Sequence, residues 1–263
     1  MCWYRIRALM LRYFFLYSKS TFRVLDIFFW PFMDLLVWGF VSMYLLKMGS
    51  GVPASITFLI GAIIFWDILY RAQQAVTVSF LEDVWSRNLL NIFVAPVRIS
   101  EFVAATYLVG MIQAIIVLLM MSLLAHWFYS FNILAVGLAL MPFFVNLLLM
   151  GWMIGLVTTA LILRFGQSAE VLAWAVPFLV QPLSAVFYPV SVLPPWLQVV
   201  SAAIPATHVF EGMRQVLKGG GLSVTHLVAA FALNAVFLVA AGLFFRYMFN
   251  TARRLGLLNK LGT

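Results

Sequence analysis

The residues best placed to do chemistry in this sequence are charged, few, and gathered in one short stretch, EDVWSRNLLNIFVAPV, from Glu82 to Val97. Asp83 is placed to cap a short helix, with Arg87, Asn88 and Asn91 on or near one side. Trp85, Leu89, Leu90, Ile92 and Phe93 form its apolar part, Pro96 ends it, and Arg98 follows. Such a segment offers charge and amides to a partner, or rests on a membrane as an ordinary loop helix. Other chemistry lacks its residues. There is no G-x-x-x-x-G-K-S/T loop for a nucleotide, no H-E-x-x-H and no G-x-S-x-G. With three histidines and eight acids, an intramembrane hydrolytic site has little to draw on. The single cysteine, Cys2, leaves no internal disulfide and no cysteine-based metal site.

The elements that must position this stretch belong to a membrane. Of 263 residues, 65% are hydrophobic and 9% charged, and the mean hydropathy is +1.07. A soluble domain carries roughly 25% charge, so lipid is the main solvent here. The net charge of +8 then reflects positive loops and anionic headgroups rather than nucleic acid. No cleavable signal peptide is expected, because Arg5, Arg7, Arg12 and Lys19 interrupt the first apolar stretch. From Trp3 to Phe22, Arg5, Arg12 and Lys19 recur every seven residues and Arg23 follows by four. They form one cationic stripe on a helix, which suits an interfacial helix over residues 1–25 with its cations at the headgroups.

Six spans are expected: about Ile27 to Leu46, Ala54 to Phe80, Phe102 to Ala125, Ile133 to Leu163, a fifth from Val171 to Tyr188-Pro189, and Val224 to Tyr247. Gly49, Gly51 and Pro53 make the first outer turn, and His126 to Asn132 the second. Asp67 and Arg71 share one helical face and can pair, either along a transport route or as a neutralised structural pair, with Gln73 and Gln74 extending into water. Asp34 should point into the bundle or toward headgroups. Gly151 and Gly155 give the small-xxx-small spacing of closely packed helices. Residues 189–221 read as two short helices forming a re-entrant or outer hairpin, with Glu211 and Arg214 as a gate pair or a hairpin brace.

Charge fixes the orientation. Arg5, Arg7, Arg12, Lys19, Arg23, Arg87, Arg98, Arg164, Arg246, Arg253, Arg254 and Lys260 fall on one side, and only Lys47, Arg214 and Lys218 on the other. Both termini are therefore expected in the cytoplasm. The fold class is an all-α polytopic membrane protein, a single transmembrane domain over 1–263.

This layout resembles the ABC-2 type permeases, the membrane subunits of ABC exporters. The resemblance lies in EDVWSRNLLNIFVAPVRISEF, Glu82 to Phe102, and PLSAVFYPVSVLPPWLQVVSAAIPATHVFEGMRQVL, Pro182 to Leu217, the latter ending in Glu211 and Arg214. Two departures are Ser184-Ala185, where Ser-Gly is frequent, and Ile204-Pro205, where Asn-Pro is common. The resemblance implies a permease that is half of a dimeric pore, a homodimer lined largely by spans one, two and five. It implies a separate ABC ATPase subunit that holds ATP and magnesium, with no cofactor in this chain. Residues 82–97 would be the coupling helix seated on that ATPase, involving Glu82, Asp83, Arg87, Asn88, Asn91, Phe93, Pro96 and Arg98, flanked by the interfacial helix. The substrate would be a glycan, a lipid-linked molecule or a hydrophobic drug. The aromatic content of 16% fits sugar stacking and lipid-facing rings equally and selects none of them. Two other classes remain: a membrane scaffold recruiting a cytoplasmic partner, and an intramembrane lipid-modifying enzyme using Asp34, Asp67, Arg71 or Asn146.

Overall fold

The computed structural model describes residues 1–48, 53–86, 88–131, 140–217 and 219–255. Arg87, Gly49 and Gly51 of the first outer turn, Asn132 of the second, Ile133 at the expected start of the fourth span, Lys218, Gln167's and Phe93's side chains, and Lys260 lie outside what is described. The described chain is helical: α1 Trp3–Ser18, α2 Thr21–Lys47, α3 Pro53–Trp85, α4 Leu89–Val94, α5 Ile99–Tyr129, α6 Met141–Phe165, α7 Leu172–Leu183, α8 Pro195–Ala202, α9 Pro205–Leu217 and α10 Val224–Arg254. Among these, α2, α5, α6 and α10 are long and apolar enough to cross a bilayer.

α3 is the axis of the bundle, and small residues let its neighbours close on it. Gly151 and Gly155 of α6 sit against it as their spacing predicts. A Cβ at Gly151 would lie 2.5 Å from the Leu69 carbonyl oxygen, and one at Gly155 2.7 Å from Val76 Cβ. On the α5 side a Cβ at Gly110 would lie 2.8 Å from Ala75 Cβ. Two apolar clusters follow from this crossing. One joins Ile63, Ile64, Leu69, Met121, Phe143, Leu147 and Phe210. The other joins Ile6, Leu9 and Tyr13 of α1 to Phe80, Leu81, Phe102, Leu163, Phe245 and Phe249. Asn146, a catalytic candidate by position, is a packing residue: Asn234 of α10 donates its amide to both the Asn146 carbonyl and side-chain oxygens, at 3.0 and 2.9 Å.

Gln73 and Gln74 do not extend into water. Both are buried, and both donate to the Ala173 carbonyl oxygen, at 3.0 and 3.1 Å. The cause is visible four residues on: Pro177 has no N–H, so the Ala173 carbonyl lacks its helical donor inside α7. In a membrane that carbonyl must find another partner, and α3 supplies two.

The fifth expected span is helical only over the 12 residues of α7, about 18 Å, before the chain turns. At the turn Ala185 adopts φ +50°, in the left-handed region that favours glycine. That is the physical content of the Ser184-Ala185 departure. Ala185→Gly is expected to raise stability by about 0.5–1 kcal/mol, since relief of the left-handed strain exceeds the added entropy of the unfolded chain. Thermal melting in detergent reads this, and an unchanged or lower melting temperature counts against it.

Candidate functional site

α1 is built to dock. Ile6, Leu9 and Tyr13 recur at helical spacing and are buried, while Arg5 and Arg12, two turns apart, flank them. Three of the four stripe cations meet acids at the ends of α3 and α5. Arg5 lies 3.5 Å from Glu101. Arg12 grips Asp83 with both guanidinium nitrogens, Nη1 donating to Oδ2 at 3.3 Å and Nη2 to Oδ1. Arg23, at the start of α2, lies 3.2 Å from Glu82. Lys19 sits exposed at the α1 C-terminus. Charge-assisted hydrogen bonding draws Arg5, Arg12 and Arg23 of the stripe to these carboxylates, while Lys19 stays at the surface.

Two carboxylates organise the joint. Asp83 is fully buried and also accepts from the Tyr13 hydroxyl at 3.1 Å. Burial, and then the Asp83 charge, push that hydroxyl well above the ordinary tyrosine range. Glu101 accepts from the backbone N–H of Arg98 at 2.9 Å and of Cys2 at 2.7 Å. These backbone donors, with Arg5 beside them, satisfy its buried carboxylate. Glu101 stands at the third position of α5, where an acid reaches back to the chain entering the helix. That spacing was its only sign in the sequence, where it reads merely as the entry to a span.

Asp83 is therefore not the cap of the short helix. It lies in the last turn of α3, which runs on to Trp85 because Leu81 and Val84 continue its buried face. Asn88 takes the cap position of α4, without a side-chain cap bond, and accepts from Asn91 at 3.0 Å. Ala95 turns extended ahead of Pro96. Asn91, Val94, Pro96 and Arg98 are exposed, and Glu82 is partly covered. A cavity of about 310 Å³ separates this link from α1, between Leu9, Arg12, Pro96 and Val97.

The remaining expected pairs resolve differently. Asp67 and Arg71 do not form an ion pair: Arg71 reaches α2, 3.8 Å from the Asp26 carboxylate and 3.2 Å from its carbonyl oxygen. Asp67 Oδ2 is buried with no hydrogen-bond partner. Glu211 and Arg214 do come together, at 2.9 Å, though the oxygen lies off the line of the Arg214 Nη1 hydrogens. Glu211 accepts from the Val190 N–H at 2.8 Å. Arg214 Nη2 donates to the carbonyls of Ala185 and Tyr188 at 2.5 and 2.6 Å, and its guanidinium lies 4.2 Å from the Phe58 ring centre. This pair braces the irregular backbone after α7.

The family model described as ABC-2 type transporter matches residues 4–218. The chain is similar to the inner membrane transport permease YadH of Escherichia coli K12, 25% identical over 189 residues that cover 70% of each protein. It is also similar to ABC transporter G family member 20 of Dictyostelium discoideum, 30% identical over 164 residues, 61% of this chain and 22% of that protein.

Proposed function

Because this chain belongs to the ABC-2 type transporter family, and so is an integral membrane permease subunit of an ABC transporter, we propose that it is one half of a homodimeric export pore driven by a separate ATPase subunit. The pore crosses the membrane six times per chain, through α2, α3, α5, α6, α7 with the braced segment after it, and α10, with both termini cytoplasmic. ATP and magnesium belong to the ATPase, and the exported molecule is a glycan, a lipid-linked compound or a hydrophobic drug.

One observation carries this reading. Three ion pairs, Arg12–Asp83 and Arg23–Glu82 at the start of the 82–97 segment and Arg5–Glu101 just beyond its end, fasten α1 and α2 to the ends of α3 and α5. A segment held at both ends passes displacement into the bundle, whereas a loosely tethered loop dissipates it. At this segment the contacting residues are the exposed Asn91 and Pro96, with Arg98 just after them and Asn88 at the start of α4; Arg87 and Phe93 join them by their place in the sequence. Glu82 and Asp83 act as anchors behind the contact.

The test is purification of the chain with its ATPase partner. Arg98→Glu and Asn91→Lys are expected to leave membrane insertion and melting temperature unchanged while lowering recovery of a P-loop subunit at least tenfold. Full recovery together with normal ATP-dependent transport in both variants would refute the coupling assignment. A preparation of the unmodified chain without any ATPase would refute the exporter reading itself.

A further inference from the structure

α9 crosses the first turn of α10 at close range, where a Cβ on Gly212 would lie 2.8 Å from the Phe143 ring and 3.5 Å from His226 Cβ. One turn earlier on α9 stands His208, and its ring meets that of His226. The two Nδ1 atoms are 3.3 Å apart, with ring centres 5.6 Å apart and planes inclined by 42°. His208 Nε2 lies 2.9 Å from the Ala202 carbonyl oxygen. A carbonyl oxygen only accepts, so Nε2 carries the His208 proton and Nδ1 presents a bare lone pair. A ring fixed through its second nitrogen to a carbonyl is also how proteins orient a metal-ligating histidine. Neither residue takes part in the joint between α1, α3 and α5.

We propose that His208 and His226 bind one divalent transition cation of the Zn²⁺ class through their Nδ1 atoms, at the joint between α9 and α10. With Zn–N bonds of about 2.0–2.1 Å, the observed nitrogen separation places the ion at an angle of roughly 107°, close to tetrahedral. Each ring turns by roughly 35° to aim its lone pair at that point. His226 shifts its proton from Nδ1 to Nε2, with no change in charge. Imidazole donors select Zn²⁺, Cu²⁺ or Ni²⁺ over Mg²⁺ and Ca²⁺. Both rings are half-buried, so one side of the pair is open to water. No third His, Cys, Asp or Glu joins the group among the described residues, so water fills the other two positions. The bound ion ties the α8–α9 hairpin to α10.

The experiment uses the full chain in detergent, stripped with a chelator, in a Cys2→Ser/His126→Gln background that removes the exposed thiol and the exposed third histidine. Calorimetry with Zn²⁺ is expected to give one ion per chain, and the Cu²⁺ electron paramagnetic resonance spectrum to show two imidazole nitrogens. His208→Gln, whose amide can still donate to Ala202, and His226→Gln are each expected to weaken Zn²⁺ binding at least tenfold and to abolish any Zn²⁺-dependent rise in melting temperature. The metal-free melting temperature of each variant verifies that it folds. Absence of Zn²⁺ binding in the background chain, or undiminished binding in folded His208→Gln, would overturn the proposal, as would a Cu²⁺ spectrum with a single nitrogen.

Discussion

Arg12→Ala is expected to cost about 3–5 kcal/mol and to release α1 from the bundle. Asp83 has almost no exposed side chain, while Arg12 is only 28% exposed. Removing the guanidinium leaves a buried carboxylate with the Tyr13 hydroxyl as its remaining side-chain donor, and a buried charge without its counter-charge is strongly destabilising. The reverse truncation should be milder, because a freed Arg12 reaches water along its exposed edge. Replacing both partners by leucine should recover most of the loss, since an apolar pair of similar volume carries no desolvation penalty. Thermal melting, with limited proteolysis between α1 and α2, gives all three values. If Arg12→Ala melts like the unmodified chain, the ion pair does not hold α1.

Gly151→Leu should prevent the bundle from assembling at all. A Cβ at this position already lies 2.5 Å from the Leu69 carbonyl oxygen, 2.7 Å from Ala72 Cβ and 3.1 Å from the Gln73 nitrogen. Two of these atoms are backbone, which cannot rotate aside, so even Gly151→Ala must part α3 from α6 and should cost about 1–3 kcal/mol. Leucine adds three further carbons to the same crossing and should leave no folded protein in the membrane fraction. Gly242 of α10 provides the contrast. A Cβ there meets nothing within 4 Å, so Gly242→Ala should be neutral or gain up to about 1 kcal/mol from helix propensity. Equal folded yields of Gly151→Leu and Gly242→Ala would show that the α3–α6 crossing is not close.

The parts of this structure that depend on local spacing were readable in the sequence. Gly151 and Gly155 announced a helix crossing, and the seven-residue recurrence of Arg5 and Arg12 announced a shared face. What could not be read was the other half of each contact. The acids that receive Arg5, Arg12 and Arg23 lie between 59 and 96 positions away, so a single-sequence pattern assigned those cations to lipid. The glutamines that complete Ala173 stand about a hundred positions before it, and a polar pair near the end of an expected span looked like a pair entering water. Asp83 was misplaced for a related reason. An acid ahead of a short amphipathic run is what a helix cap looks like locally, and only the packing of Leu81 and Val84 carries α3 two residues beyond it. The resemblance, in turn, located a Ser-Gly position, and the backbone angle of Ala185 explains why glycine suits it.

α3 has a mechanical consequence. It is one hydrogen-bonded helix of 33 residues with its only proline at the first position, so it has no proline kink at which to bend. Near one end Asp83 is clamped by Arg12; near the other, Phe58 lies under the Arg214 guanidinium. The 25 residues between these grips span about 38 Å. A tilt of about 5° pivoting at Asp83 moves Phe58 by about 3 Å, as far as a hydrogen bond is long. Arg214 must then follow Phe58 or lose its ring contact, so a small rotation about Asp83 would reach the braced segment after α7 through Arg214.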